Sequence, residues 1–149
     1  MPAPEIVVYD APAASLDAET LYRILALRVD VFVVEQECAY PELDGRDLEA
    51  STRLVWAERD GAVLATLRLL AESDGATRIG RVATAAPVRG QGLADRLVTR
   101  ALELGAGREI VLDAQTPLAG WYARFGFQRR GADFIEDGIA HTPMRRPAR

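Results

Sequence analysis

Two short segments hold the residues best placed to do chemistry in this chain. The first runs Arg81-Val82-Ala83-Thr84-Ala85-Ala86-Pro87-Val88-Arg89-Gly90-Gln91-Gly92-Leu93-Ala94. Glycine reaches backbone conformations closed to other residues, so successive N–H groups can turn into one concave site. A helix starting near Leu93 adds its unpaired first-turn amides and the positive end of its dipole. Such a turn suits phosphate or pyrophosphate, and Arg89 adds a charge-assisted contact. It is not a Walker A loop, because G-K-[ST] is absent. Nor is it G-x-G-x-x-G, because Asp95 stands at the third glycine position. Taken alone, a strand-to-helix turn that binds nothing accounts for it equally well. The second segment is Trp121-Tyr122-Ala123-Arg124-Phe125-Gly126-Phe127. A short helix here puts Tyr122 and Phe125 on one side. Trp121, Phe125 and Phe127 suit core packing, whereas a tyrosine hydroxyl wants a polar partner.

What the chain lacks narrows the chemistry further. All 18 basic residues are arginine, and there is no lysine. That removes a P-loop lysine, a Schiff-base nucleophile and a lysine-bound pyridoxal cofactor. His141 is the single histidine and Cys38 the single cysteine. An HExxH zinc site, a multi-histidine metal centre, a zinc finger and an internal disulfide are therefore excluded, and no metal is expected. None of Ser15, Ser51 and Ser73 sits in G-x-S-x-G. Backbone amides, carboxylates, tyrosine and a carried-in cofactor remain.

These groups need a scaffold, and 149 residues suffice for one domain with a sizeable core. A net charge of -4 and a pI near 5.1 argue against general nucleic-acid binding. No apolar run is long enough to span a membrane, and residues 1–5 do not resemble a signal peptide. A cytoplasmic location suits the unpaired Cys38.

The periodicity predicts strands near residues 6–9, 53–58, 63–70, 77–84, 109–114, 127–134 and 141–146. It predicts helices from Ala18, capped by Ser15 or Asp17, over residues 93–104, and over 118–124. The β-branched run Val31-Phe32-Val33-Val34 either ends the first helix or continues it buried. Residues 35–49 form a long polar segment, and long loops in compact domains are often functional. Asp60-Gly61 signals a hairpin. The sum is an α+β, or mixed α/β, domain.

Together the two segments resemble the GNAT superfamily of acetyl-CoA-dependent N-acetyltransferases. Arg89-Gly90-Gln91-Gly92-Leu93-Ala94 matches its [QR]-x-x-G-x-[GA] pyrophosphate motif, and Tyr122-x-x-x-Gly126-Phe127 its later Y-x-x-x-G-F motif. The resemblance narrows to the ElaA-like branch through Leu27-Arg28, residues 31–36, Tyr40-Pro41, Asp44-Gly45, Asp47-Leu48 and Gly80-Arg81-Val82. Ala114-Gln115, residues 136–139, His141 and Met144 extend it over nearly the whole chain.

That resemblance implies a central, mostly antiparallel sheet of about six or seven strands, splayed at a parallel pair and flanked by helices. It implies that Val82, Ala83 and Thr84 pair with pantetheine, and that Arg89, Gly90, Gln91, Gly92, Leu93 and Ala94 hold the pyrophosphate. A backbone N–H near Val82 would polarise the thioester carbonyl. Gln115 would orient the cofactor or the acceptor, or merely cap a helix, and Phe125 would join Tyr122 at the cofactor. Tyr122 would protonate the leaving thiolate. Glu35, His141 and Glu136 are the candidate bases, imidazole being the side chain that changes charge nearest neutral pH. Direct transfer to a primary amine of a small molecule or peptide is expected, without an acyl-enzyme on Cys38. Glu35, Glu42, Asp44, Glu136 and Asp137 form an acidic set that would draw in a cation. A homodimer is compatible with such a fold. A non-catalytic acyl-CoA-binding module and an acyltransferase like the acyl-homoserine-lactone synthases are the alternatives.

Overall fold

A computed structural model of the chain describes residues 4–149. Its strands are β1 (Val7–Pro12), β2 (Arg53–Arg59), β3 (Ala62–Ala71), β4 (Thr77–Thr84), β5 (Ile110–Gln115), β6 (Gln128–Arg129), β7 (Phe134–Glu136) and β8 (Ile139–Arg146). The helices are α1 (Ala18–Val29), α2 (Leu93–Leu104) and α3 (Ala119–Ala123). All eight strands join one sheet in the order β1-β2-β3-β4-β5-β8-β6, with β7 also pairing β8. The sheet is antiparallel except between β4 and β5.

That parallel pair decides the shape of the molecule. β4 and β5 are bonded only at Thr77↔Ile110 and Arg78↔Val111. Beyond Arg78, β4 stays with β3 as far as Thr84, while β5 stays with β8 as far as Gln115. Each strand keeps its antiparallel partner, and the gap between them opens toward their C-terminal ends.

Local sequence explains most boundaries. Asp17 caps α1, its carboxylate accepting from the Thr20 amide at 2.7 Å. Asp60 and Gly61 both take positive φ, +53° and +79°, as a two-residue hairpin turn requires. One face of α2, with Leu93, Leu97, Val98 and Ala101, packs on Val55, Leu67, Leu69, Ile110 and Leu112. On the opposite side Ile24 of α1 meets Leu54 and Trp56, and Leu27 and Val31 meet Ala83.

One boundary left open by the sequence is decided by the structure, and one differs from the expectation. The β-branched run after α1 continues it as a wider helical turn, Asp30–Glu35, in which the Gln36 amide reaches the Val31 carbonyl. Burial of Val31 against Ala83 overrides local strand preference. The strand expected over residues 127–134 is split into β6 and β7, both on β8. Pro143 lies between the two stretches of β8 that they pair, and it has no N–H to donate to a ladder.

Candidate active site

The splay between β4 and β5 opens a cleft of about 1010 Å³. One wall carries Val82, Ala83 and Thr84 of β4; the other carries Leu112, Ala114 and Gln115 of β5. Gly90, Gly92, Leu93 and Ala94 close one end. Gly90 and Gly92 have φ of +77° and +78°, and Gly92 is the N-cap of α2 with no side chain capping it. A Cβ on either glycine would meet nothing within 4 Å. Their constraint is therefore backbone conformation and not space. The N-terminus of α2, whose first-turn amides have no partner within the helix, lies on the cleft wall. Gln91 is exposed and lies outside the cleft wall.

Tyr122, on α3, reaches the same cleft from the β5 side, 5% exposed. Trp121 and Phe127 hold its ring edge-on at 4.8 and 6.1 Å between centroids. Burial pushes its hydroxyl up to about 12, so it stays protonated across the physiological range. No hydrogen-bond partner for that hydroxyl occurs among the described residues. Phe125 instead packs into the core beside Trp121, at 5.0 Å.

The candidate bases stand apart in their surroundings. Glu35 ends the wide turn after α1 and is gripped by both terminal nitrogens of Arg89, at 2.6 and 2.7 Å. That hydrogen-bonded fork holds the Glu35 carboxyl below the usual carboxylate range. Arg89 also donates from Nε to the Thr84 carbonyl at 3.0 Å. Its guanidinium thus ties the wide turn to the end of β4. His141 lines the cleft from β8, opposite Gln115, and stacks on Phe134 with ring centroids 5.5 Å apart. Its Nδ1 lies 2.8 Å from the Ile139 carbonyl. With Nδ1 as donor, Nε2 keeps its lone pair. The Gln115 amide donates to Gln36 at 3.3 Å. Glu136 and Asp137 line the mouth without an ion pair among the described residues.

Across that mouth the long polar segment meets the β7–β8 hairpin, where Cys38 Sγ lies 3.5 Å from the Asp137 carbonyl. The segment itself is not loose. Arg28, fully buried on α1, donates to Glu42 at 2.7 Å and Asp47 at 2.7 Å. Arg68 of β3 donates to Asp44 at 2.6 Å, and Arg81 of β4 to Glu42 at 2.9 Å. The Tyr40 hydroxyl donates to Glu42 as well. Three arginines and three carboxylates thus form one interlocked set. Burial works to raise the carboxyls of Asp44 and Asp47, but the hydrogen bonds from Arg68 and Arg28 outweigh it and hold both below the usual range. Three members of the expected acidic set, Glu35, Glu42 and Asp44, are accordingly arginine-paired. Arg68 drew no attention as a site residue in the sequence. The available signal is a charge inside the apolar run of residues 62–71, which flags a buried ion pair.

Comparison with known proteins agrees with this architecture. Residues 20–147 match the acetyltransferase (GNAT) domain family. A UPF0039 protein of Mycobacterium tuberculosis is 52% identical over 139 residues, 91% of this chain and 89% of that protein. Protein ElaA of Escherichia coli is 34% identical over 143 residues, 92% of this chain and 94% of ElaA. The crystal structure of ElaA superposes with a TM-score of 0.90 over 95% of this chain and 99% of that one. An acyl-CoA N-acyltransferase from Pseudomonas aeruginosa, 41% identical, superposes with a TM-score of 0.91 over the same shares. With its splayed parallel pair, glycine-initiated helix and cleft-facing tyrosine, the chain belongs to the GNAT acetyltransferase family, in its ElaA-like branch.

Proposed function

We propose that the chain, as a single domain over residues 1–149, is an acetyl-CoA-dependent N-acetyltransferase acting on a primary amine of a small molecule or peptide. The observation that carries this is the meeting of the left-handed glycine loop and the Tyr122 hydroxyl on one cleft between parting strands. Acetyl-CoA, when bound, supplies the acetyl group as a thioester. The amides of Gly90, Gly92, Leu93 and Ala94 hold its pyrophosphate, and the free edge of β4 from Val82 to Thr84 holds the pantetheine. The Val82 amide donates to the thioester oxygen as charge builds there. Tyr122 gives its proton to the departing sulfur. Transfer is direct, without an acyl-enzyme on Cys38, whose sulfur faces the Asp137 carbonyl. An amine resembling a lysine side chain is neutral at pH 7 only at a cost of about 4–5 kcal/mol. His141 Nε2, directly or through water, accepts the proton it sheds, and Glu136 and Asp137 draw the cation toward the mouth. Location in the cytoplasm belongs to the same proposal. No helix of the described residues is long and apolar enough to cross a membrane.

The direct test is a broad amine panel with acetyl-CoA, following thiol release. A lysine-free chain cannot release thiol by acylating its own lysines. Saturable acetyl-CoA binding with no release from any amine rejects the enzyme in favour of a non-catalytic acyl-CoA binder.

Two substitutions probe the parts. Gly92→Ala forces an L-residue into the left-handed region at about 1–2 kcal/mol or turns the amides away. Calorimetry should show acetyl-CoA binding weakened about tenfold, with S-acetylpantetheine, which lacks the pyrophosphate, bound as before. Equal losses for both ligands refute the pyrophosphate site. His141→Ala should lower kcat/KM about 100-fold, whereas Glu35→Gln should leave it nearly unchanged, since Arg89 already holds the Glu35 carboxyl low. A normal kcat/KM in His141→Ala removes His141 as the base.

A further inference from the structure

The β3–β4 ladder is irregular at one place, and that place is the cleft wall. Thr66 and Arg68 are two residues apart on β3, but their partners Ala83 and Gly80 are three apart on β4. Arg81 and Val82 therefore share the position opposite Leu67, which is a β-bulge. Residue 81 takes φ +52°, a left-handed conformation that is costly for any L-residue and is normally given to glycine. Asn and Asp offset that cost with a short polar side chain bonded locally, as Asp60 and Asp137 can in their hairpin turns. Arginine has no such local remedy.

Its compensation is tertiary. Arg81 Nε donates to Glu42 Oε2 at 2.9 Å, and Nη2 donates to the Glu42 carbonyl at 3.0 Å and to Asp44 at 3.3 Å. The guanidinium also stands 5.5 Å from the centre of the Tyr40 ring. Glu42 is itself held rigidly, 3% exposed and bonded to buried Arg28. The side chain that leaves the bulge is thus locked into the interlocked set of arginines and carboxylates described above. Where two residues face one, the ladder is broken and the extra residue goes unpaired. Val82, the second residue of the bulge, lines the cleft.

We propose that Arg81 is a positioning residue whose clamp to Glu42 holds the bulge left-handed and so keeps the Val82 amide aimed at the reacting carbonyl. The proposal rests on the acyl-transfer function of the cleft. It gives the polar segment of residues 36–49 a second task beyond lining the cleft: it fixes the backbone of the strand on which the acyl group is activated.

Arg81→Ala and Arg81→Gly separate this role from a structural one. Both lose the clamp, so both should lower Tm to a similar extent. Only glycine takes φ +52° freely. Arg81→Ala should lower kcat about 100-fold, the scale of losing one oxyanion donor, with the acetyl-CoA Kd and the amine KM little changed. Arg81→Gly should return kcat to within about fivefold of the parent, because the bulge no longer needs holding. Equal kcat losses in both variants, or a normal kcat in Arg81→Ala, overturn the proposal. Should Arg81→Ala fail to fold, Glu42→Gln takes its place: it should lower kcat beside Arg81 and have no further effect beside Gly at 81. The amide NMR resonance of Val82 needs no acceptor. Acetyl-CoA should shift it in the parent and Arg81→Gly but not in Arg81→Ala, and the same shift in all three overturns the proposal. Absence of amine turnover in the parent, with that pattern of shifts intact, overturns the acyl-transfer function alone.

Discussion

Tyr122→Phe should lower turnover about 100-fold, at the lower end of what a positioned general acid contributes, while acetyl-CoA affinity stays within about twofold. The substitution removes one oxygen and keeps the ring, so the edge-on packing on Trp121 and Phe127 survives. The acid role has an energetic side that the variant exposes. A hydroxyl at about 12 faces a thiol of ordinary pKa about 8.5, a gap of roughly 3–4 units or about 5 kcal/mol against proton transfer. The same burial that raises the hydroxyl also destabilises a thiolate in the cleft, which narrows the gap as the carbon–sulfur bond breaks. Tyr122 ionisation should therefore contribute no alkaline limb below about pH 12. Measuring kcat for both proteins from pH 6 to 10 checks this. A turnover in Tyr122→Phe equal to the parent's rejects the acid role, and a drop in acetyl-CoA affinity that matches the drop in kcat/KM makes Tyr122 a binding contact instead.

Arg28→Ala should destabilise the fold by about 3–5 kcal/mol, because it strands two carboxylates with too few cations. Glu42 and Asp47 keep their burial but lose the bonds at 2.7 Å that offset it. The sign of the pH dependence follows from Asp44 and Asp47, whose carboxyls lie below the usual range in the fold. A lowered carboxyl stabilises above its unfolded pKa, near 4, and loses that contribution as pH falls further. Without Arg28, burial raises Asp47, so its contribution at neutral pH turns unfavourable and is relieved by protonation. The difference between parent and variant should be largest near pH 7 and should narrow below about pH 4. Urea midpoints at a series of pH values test this. A difference independent of pH would mean that Arg28 acts by packing alone.

The glycine loop and the tyrosine motif are legible in the sequence because their demands are local. A positive φ at residues 90 and 92 calls for glycine, and the helix that follows begins within a residue of the second. The elements are legible for the same reason wherever burial is one-sided, as on the face of α2 carrying Leu97 and Val98. Local preference misleads where tertiary burial competes with it. The β-branched Val31-to-Val34 run leaves open by sequence whether α1 ends or continues, and it continues as a helical turn with Val31 packed on Ala83. The split of the last strands follows from Pro143, whose effect on both β6 and β7 depends on register and not on composition.

The ionic partnerships lie furthest from the sequence. Glu35 and Arg89 are 54 residues apart, and Arg81 and Glu42 are 39 apart. The acidic look of residues 35–49 suggests an open mouth for cations, yet Glu42, Asp44 and Asp47 are spent on arginines from α1, β3 and β4, and Glu35 on Arg89. By itself the sequence determined which groups are available for the chemistry: no lysine, one histidine, a glycine turn and the Tyr122 motif leave backbone amides, a phenol and an imidazole. The tertiary structure alone decided where those groups meet. β4 and β5 part because each keeps its own antiparallel partner. The left-handed turn at Arg81 persists because its side chain is held across the cleft floor by a carboxylate from a distant segment, and a contact of that kind is set by how strands and loops pack, not by spacing along the chain.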